Sequence, residues 1–215
     1  STLTMNYAKV FGGTVGLEMN QTLATIENSI FHTHQEFGIL AINSNVTAKN
    51  LVMNNCGEAA FGIFKGGVYN ITHSTLANYW NFNSALPGLG LYATNEYNNG
   101  TSTEQGALTL DIKNSIIYND NDNAVVFKPT AGQTFNYTFQ NSLLKYGSTA
   151  NYNIDAASIK NQDPKFQNYF TQKMNLRLKD DSPAKGKGNV ATAATVPFDI
   201  VKVSRTVAPS MGAYQ

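Results

Sequence analysis

The segment IKNSIIYN, residues 112–119, carries the pattern that decides the fold: an apolar residue, a variable residue, Asn or His, then Ser, a variable residue and a further apolar residue. The pattern returns in TIENSIF (25–31), ITHSTLAN (71–78) and FQNSLLK (139–145), with a looser copy in AKNLVMNN (48–55). Successive copies lie 22 to 27 residues apart, except for one interval of 41 residues. Repetition at such a period is typical of solenoids and related arrays.

A second phrase lies between the copies and contains a short apolar strand after a turn. It occurs as VGLEM (15–19), FGILAI (37–42), FGIFKG (61–66), LGLYAT (89–94) and AVVFK (124–128). Each unit therefore has at least two short strands, without the leucine grid of a leucine-rich repeat or the period near 40 of a propeller blade. The sequence predicts an all-β protein, a right-handed parallel β-helix of about six coils with a C-terminal capping segment.

The polar residue at the centre of each copy is interpreted as a corner residue. Asn tolerates the left-handed conformation that a corner requires, and its amide both donates and accepts hydrogen bonds. We therefore expect a structural ladder from coil to coil, with a binding role as the alternative. Its members are Asn28, Asn50, His73, Asn114 and Asn141.

The apolar residues around each corner are expected to point inward and to stack on one another. They are Ile26, Ile30, Leu51, Met53, Ile71, Leu76, Ile112, Ile116, Phe139 and Leu143.

The 41-residue interval indicates a coil with an insertion at residues 81–106, and insertions in stacked repeats often build the binding face. The repeat ends near residue 148. We predict β-helix repeats over residues 1–148 and a C-terminal cap of the same domain over residues 149–215.

Composition excludes several classes of protein. The 215 residues carry a net charge of +1, with 13% charged residues, so there is no basic field to attract nucleic acid. No apolar run reaches the roughly 18 residues of a transmembrane helix. Cys56 is the single cysteine and is interpreted as a buried thiol. Because the chain starts at Ser1, we expect that a targeting segment has been removed.

The C-terminal region contains DPKF (163–166), NLRLKDDSPAKGKGN (175–189) and PSMGAY (209–214). These motifs, with Asp199 and Arg205, resemble the C-terminal block of bacterial parallel β-helix proteins of the choice-of-anchor Q type, found in Bacteroidetes surface proteins and sharing a pectate-lyase-like fold. Lys185, Lys187, Ser210 and Gln215 depart from that pattern. The resemblance implies a secreted or outer-membrane surface protein, lipid-anchored through a missing N-terminus.

A solenoid must cover the unpaired strand edges of its last coil. We predict that the C-terminal block does so, stapled by an ion pair between Asp199 and Arg205; two unrelated surface charges are the alternative. The N-terminal end has no such segment. We therefore expect upstream coils or another chain to cover it.

Pectate-lyase-like proteins often act on polysaccharides, but the motifs of polygalacturonase-like hydrolases, Asn-Thr-Asp, Asp-Asp, Gly-His-Gly and Arg-Ile-Lys, do not occur together on the coils of this chain. Asp180-Asp181 lies in the C-terminal block, without a partner motif. No catalytic residue is predicted.

Two polar stretches were considered as metal sites. His32 and His34, with Glu36, would lie on one face of an extended strand, although an ordinary solvated strand end is the preferred interpretation. NDNDN (119–123) offers Asp120 and Asp122 as oxygen ligands for Ca²⁺, but it lacks the glycine and distant glutamate of an EF-hand, and a polar turn is preferred. No cofactor is therefore predicted, with Ca²⁺ as the remaining possibility.

Aromatic residues in and before the insertion suggest a glycan platform, because aromatic planes stack on the apolar faces of sugars. The candidates are Trp80, Tyr79, Tyr92, Tyr97 and Asn95. The alternative is that these aromatic rings pack the corner of an enlarged coil.

The sequence thus favours a non-catalytic extracellular or cell-surface module that binds a glycan or an envelope protein, within an uptake or adhesion assembly. The alternative is a polysaccharide lyase or glycoside hydrolase whose active residues lie upstream or on a partner.

Overall fold

The chain winds into a rod with three faces, as seen in a computed structural model that describes residues 1–148, 150–170 and 173–215. Face 1 is formed by β1 (Thr2–Asn6), β4 (Leu23–Glu27), the second halves of β6 (Phe37–Lys49) and β8 (Ala59–Thr72), β13 (Leu108–Lys113) and β16 (Phe135–Gln140). All neighbouring strands on this face are parallel and in register.

Faces 2 and 3 are built in the same way. Face 2 contains β2 (Lys9–Phe11), β5 (Ile30–His34), β7 (Val52–Cys56), β9 (Thr75–Asn78), β14 (Ile116–Asn119), β17 (Leu143–Leu144) and β18 (Ile159–Lys160). Face 3 contains β3 (Val15–Asn20), the first halves of β6 and β8, β10 (Leu89–Thr94) and β15 (Val125–Lys128).

The chain visits the three faces in a constant order, so each passage is one coil and each strand pairs with its counterpart one coil away. The six strands on face 1 correspond to six coils. The prediction of an all-β right-handed parallel β-helix of about six coils is confirmed, since parallel crossovers are right-handed in nearly all proteins.

The core consists of apolar side chains stacked inside the rod. Ile26, Met53, Ile71 and Phe139 are buried there, as expected. The expectation that Ile30, Ile116 and Leu143 also point inward is wrong: they face outward from face 2 and pack into a second cluster. The residue after each of them points into the rod instead, because the corner and the serine that follows it set the register of the strand.

The five predicted ladder residues lie at equivalent corners between faces 1 and 2, and all have positive φ, between 45° and 53°. Side-chain hydrogen bonds link Asn28 to Asn6 (2.9 Å), Asn50 to Asn28 (2.8 Å) and Asn114 to His73 (2.9 Å). The amides of Asn50 and Asn114 also donate to the backbone carbonyls of Phe198 and Asn189. These corner residues thus join neighbouring coils to one another and to the C-terminal segment.

A serine follows every predicted corner residue except Asn50, which is followed by Leu51, and its hydroxyl forms hydrogen bonds between neighbouring coils. The hydroxyl of Ser115 accepts a hydrogen bond from the N–H of Ser74 and donates to the carbonyl of Lys113. The hydroxyl of Ser142 accepts from the N–H of Ser115, and that of Ser74 accepts from the N–H of Leu51. Backbone amides that would be unpaired at the turn are thereby satisfied.

The C-terminal segment, residues 161–170 and 173–215, lies along the outside of face 2. Residues 150–160 close the last coil through Tyr152, Ile154 and β18. The segment itself contains the antiparallel pair β19 (Phe166–Asn168) and β20 (Asn175–Leu178) and the short helix α1 (Val190–Ala194). It buries a second apolar cluster with the outward residues of face 2, whose fully or largely buried members are Val52, Ala77, Tyr79, Ile116, Leu143, Phe166, Leu176, Ala184, Ile200, Met211 and Ala213.

The predicted ion pair between Asp199 and Arg205 does not form, although both residues are 1% exposed. The Asp199 carboxylate is occupied by the backbone N–H groups of Val201, Val203 and Gln215. Arg205 donates through Nη2 to the carbonyl of Gly212 at 3.1 Å, and burial lowers its pKa to about 10, with Asp199 acting in the opposite direction. Asp199 therefore stabilises a turn.

At the N-terminal end, Leu3, Met5, Val10 and Leu17 are only partly buried, and Tyr7 is 57% exposed. Lys202 lies 5.7 Å from the centre of the Tyr7 ring. None of the helical segments in the described part of the chain has the length and apolar character of a membrane span.

Candidate functional site

A groove runs across the outer surface of face 3, between two loops that belong to the predicted insertion. It consists of two adjoining cavities of about 640 and 700 Å³ that share Phe64, Tyr92 and Lys128. Loop 81–88 and residues 121–123 border the first cavity. The hairpin of β11 (Glu96–Asn98) and β12 (Thr103–Gln105), with residues 129–131, borders the second.

The floor of the groove is aromatic: Phe64 and Tyr92 occupy the outward positions of the alternation on face 3, and Phe37 lies at the start of β6. Phe37, Phe64 and Tyr92 extend from successive coils, with ring centres 5.8 Å apart for Phe37 and Phe64 and 5.3 Å for Phe64 and Tyr92. Gly62 lies beneath them, and a Cβ atom there would come within 2.7 Å of the Phe37 ring. The glycine therefore lets the Phe37 ring lie close to the sheet.

The hairpin wall is held by amide side chains. Asn95 donates to the carbonyls of Gly106 (2.7 Å) and Thr134 (3.0 Å) and accepts from the N–H of Thr130. Asn99 organises the turn by accepting from Thr101 and Ser102, and an ion pair joins Lys65 of the rod to Glu104 of the hairpin. These contacts place Tyr97, whose ring centre lies 6.3 Å from that of Phe64, at the edge of the groove.

The charges of the groove are mostly acidic. Glu58 and Asp122 line the first cavity, Glu96 lines the second, and Lys128 lies between the two. The Lys128 ammonium is 5.8 Å from the centre of the Tyr92 ring. Burial raises the pKa of Tyr92, and Glu96 and Glu58 add to the shift, so its hydroxyl stays protonated and can both donate and accept. The groove thus offers apolar ring faces beside polar groups.

The structure does not unite the predicted glycan residues. Tyr92 and Tyr97 line the groove, whereas Asn95 is fully buried and fully engaged in holding the hairpin. Tyr79 is 9% exposed, and its ring stacks on Tyr169 at 4.1 Å. The prediction that Asn95 and Tyr79 bind a glycan is therefore wrong. The Asn95 side chain is used for hydrogen bonds within the protein, and the Tyr79 ring is used for packing.

Trp80 lines a different cavity on the far side of loop 81–88, which we call the aromatic pocket. Its volume is about 270 Å³. Its lining residues are Asn55, Tyr79, Trp80, Asn81, Phe82, Asp120, Tyr169 and Phe170.

The two aspartates proposed for Ca²⁺ lie apart, since Asp120 lines the aromatic pocket and Asp122 the groove. Asn119, which precedes both aspartates, is buried and donates to the carbonyls of Gly88 and Asn123, which fixes the turn. Partial burial raises the pKa of Asp120, while Lys145 opposes the shift and Asp163 adds to it. In residues 1–148, 150–170 and 173–215, no group of three His, Cys, Asp or Glu is placed to hold a metal ion.

His32 and His34 do not share one face, because Thr33 between them has φ of 62° and breaks the alternation. His34 is fully buried, with Nδ1 2.7 Å from the carbonyl oxygen of Gly12, so the interpretation of a solvated strand end is wrong for this residue. His32 stacks on Phe11 with ring centres 5.6 Å apart. Burial lowers the pKa of both histidines.

Sequence analysis missed Phe37, Phe64, Glu58 and Lys128 as members of the groove. The signal was present in the second phrase: in FGIFKG and LGLYAT, adjacent residues alternate between the core and the surface. Phe64 and Tyr92 occupy outward positions of that alternation. An aromatic residue at an outward position of a strand is therefore the sequence feature that identifies Phe64 as a candidate for the groove.

No family model matches the chain, and no curated protein sequence matches it either. Among solved structures, the chain is similar to the crystal structure of pectate lyase Pel9A, with a TM-score of 0.52 and 16% sequence identity. The similarity covers 99% of this chain and 65% of the pectate lyase, so this chain corresponds to about two thirds of that protein's length. It establishes a shared fold, the parallel β-helix of pectate lyase.

Proposed function

We propose that the protein is a non-catalytic carbohydrate-binding module and that the groove on face 3 holds a glycan chain. The observation that carries this proposal is the row of outward rings Phe37, Phe64 and Tyr92, in a groove walled by two loops. Sugar rings stack their C–H faces on such planes, while carboxylates and hydroxyls bind the sugar hydroxyl groups. Glu58 and Asp122 supply carboxylates within the same cavity.

Calorimetric titration with neutral and acidic oligosaccharides tests this proposal. We expect saturable binding to at least one of cello-, xylo- and galacturono-oligosaccharides, weakened about fivefold or more by Tyr92→Ala, since loss of an aromatic contact costs about 1 kcal/mol or more. Phe11→Ala is the matched control, because Phe11 is 68% exposed and does not line the groove. Equal weakening by both variants, or no binding by the native chain, contradicts the proposal.

A polysaccharide lyase is the second candidate, favoured by the pectate lyase fold and by Lys128, a cation next to Glu58 and Asp122 in the same groove. Incubation with polygalacturonate and Ca²⁺ separates the two functions. A lyase generates unsaturated uronides that absorb ultraviolet light, and Lys128→Ala would abolish that signal. Binding without product formation supports the non-catalytic module.

We further propose that the protein acts outside the cell or on the outer-membrane surface, as part of an uptake or adhesion assembly with a glycan or envelope protein partner. The choice-of-anchor Q motifs of the C-terminal region support this location. The partly buried apolar residues of the first coil support a contact with upstream coils or another chain. Fractionation of the native host, followed by protease shaving of intact cells, tests the location.

A further inference from the structure

The aromatic pocket is a second candidate site, separate from the groove. Loop 81–88 lies between the two: Trp80 and Phe82 face the pocket, whereas Leu86 and Pro87 face the groove. Trp80 is fixed in place because its indole N–H donates to the carbonyl of Asn83 at 2.8 Å. The pocket therefore has a defined aromatic wall that the proposed glycan site does not use.

A hydrogen-bond acceptor without a partner lies at the base of this pocket. Asn55 is fully buried and has φ of 61°. Its Nδ2 donates to the Thr33 hydroxyl at 3.3 Å, but its buried Oδ1 has no partner in the described part of the chain. An unsatisfied buried acceptor destabilises the folded chain, and a ligand that supplies a donor removes that cost.

The remaining features of the pocket favour a donor that is positively charged. Asp120 contributes a carboxylate to the same lining. Phe82 and Phe170 are 63% and 57% exposed, so their rings and that of Trp80 are available to a cation. Lys145, whose charge acts on the Asp120 carboxylate, does not line the pocket: its ammonium donates to the carbonyl of Asn119 and lies 5.0 Å from the centre of the Tyr118 ring.

We propose that the aromatic pocket binds the primary ammonium group of a small organic ligand, between Asn55 Oδ1, the Asp120 carboxylate and the faces of Trp80, Phe82 and Phe170. A primary ammonium donates three hydrogen bonds and accepts none, so it can donate to both Asn55 Oδ1 and the Asp120 carboxylate. Aromatic faces attract such a cation through the negative potential above the ring. A volume of about 270 Å³ accommodates a group of the size of one sugar ring.

Trp80 is the single tryptophan of the chain, so intrinsic tryptophan fluorescence reports on this pocket alone. The native protein is titrated at constant ionic strength with glucosamine and glucose, and with butylammonium and butanol. Each pair differs by the ammonium group. We expect a saturable change in Trp80 emission with an ammonium compound and none with its neutral counterpart. Response to both ammonium compounds indicates an alkylammonium site; response to glucosamine alone indicates an amino sugar.

Asp120→Asn is expected to weaken this response about tenfold or more, because it removes the charged acceptor. Asp122→Asn is the matched control, since it makes the same change two residues away on the groove side of the loop and should leave the response unchanged. Thermal unfolding of both variants verifies their folding. Equal responses to glucose and glucosamine, no response at all, or equal effects of the two variants overturn the proposal. Tyr92→Ala should leave the Trp80 response intact. Failure of this proposal can therefore be distinguished from failure of the proposed glycan binding in the groove.

Discussion

At the level of single residues, each corner of the rod depends on one side chain that accepts a left-handed backbone and satisfies polar groups on several sides. Asn114 has φ of 49°, donates to His73 and to the carbonyl of Asn189, and accepts from the N–H of Asn189. Two coils and the C-terminal segment meet at this amide. The residue thus links local conformation to the packing of distant parts of the chain.

Substitution of Asn114 separates these two contributions. Asn114→Gly keeps the positive φ but loses three hydrogen bonds, so we expect the free energy of unfolding to fall by about 3 kcal/mol. Asn114→Ala should lose about 1 kcal/mol more, because alanine is disfavoured in the left-handed region. Urea unfolding measures both. If the glycine variant is as stable as the native chain, the hydrogen bonds contribute nothing net.

His73 replaces asparagine at one corner and gives stability a dependence on pH. Burial, and secondarily Arg205, lowers its pKa from 6.5 to about 3, despite the opposing carbonyls of Gly212 and Ser210. Below pH 6.5 the unfolded chain therefore takes up a proton that the folded chain refuses. Stability from this residue is complete above pH 6.5 and is lost as the pH falls toward 3, by up to about 1.4 kcal/mol per pH unit.

The variant His73→Asn should remove this part of the slope, since asparagine occupies the other corners and still accepts from Asn114. Urea unfolding at several pH values between 3 and 6.5 provides the measurement. The slope that His32 and His34 contribute remains in the variant. An unchanged slope would mean that His73 titrates alike in the folded and unfolded chains.

The corner residues could be predicted from the sequence because their conformational requirement is local and recurs at every coil. The side of the strand to which Ile30, Ile116 and Leu143 point could not be predicted from the sequence. An alternation of apolar and polar residues identifies an inward position only where the other side of the strand meets water. Here the other side is covered by residues 161–170 and 173–215, which follow much later in the chain.

At the level of elements, the hairpin of β11 and β12 forms a separate two-stranded sheet outside the stacked coils. Its residues Glu96–Asn98 and Thr103–Gln105 are exposed or half-buried, and it is tied down through Asn95 and Lys65. The insertion was predictable from the 41-residue interval. The split between the groove and the aromatic pocket was not predictable, because it depends on the three-dimensional path of loop 81–88.

Replacement of residues 97–104 by a short Gly-Ser linker should leave the rod folded, with stability changed by about 1 kcal/mol or less, since no fully buried side chain is removed. Glycan affinity should fall, because Tyr97 and one wall of the groove are lost. Circular dichroism during thermal unfolding and calorimetric titration measure the two effects. Lys65→Ala, which loosens the hairpin without removing Tyr97, should have a smaller effect on affinity.

At the level of the whole molecule, the rod and the C-terminal segment share one buried cluster and should unfold together. Met211→Ala empties a fully buried position in that cluster and should cost about 2–5 kcal/mol. Val207→Ala, at a residue that is 81% exposed, should change stability by less than about 0.5 kcal/mol. Urea unfolding followed by Trp80 fluorescence and by circular dichroism should shift equally for Met211→Ala. Separate transitions would show two independent units.

The path of the C-terminal segment also determines how the protein responds to tension. Gly212 and Ala213 are bound at mid-length, to the carbonyl of Asn114 and the hydroxyl of Thr75. A load on the C-terminus therefore enters the middle of the rod and strains several hydrogen bonds and a packed apolar layer at once. An end coil pulled directly would instead peel off one strand at a time, so unfolding the rod from the C-terminus should require a larger force than unfolding it from an end coil.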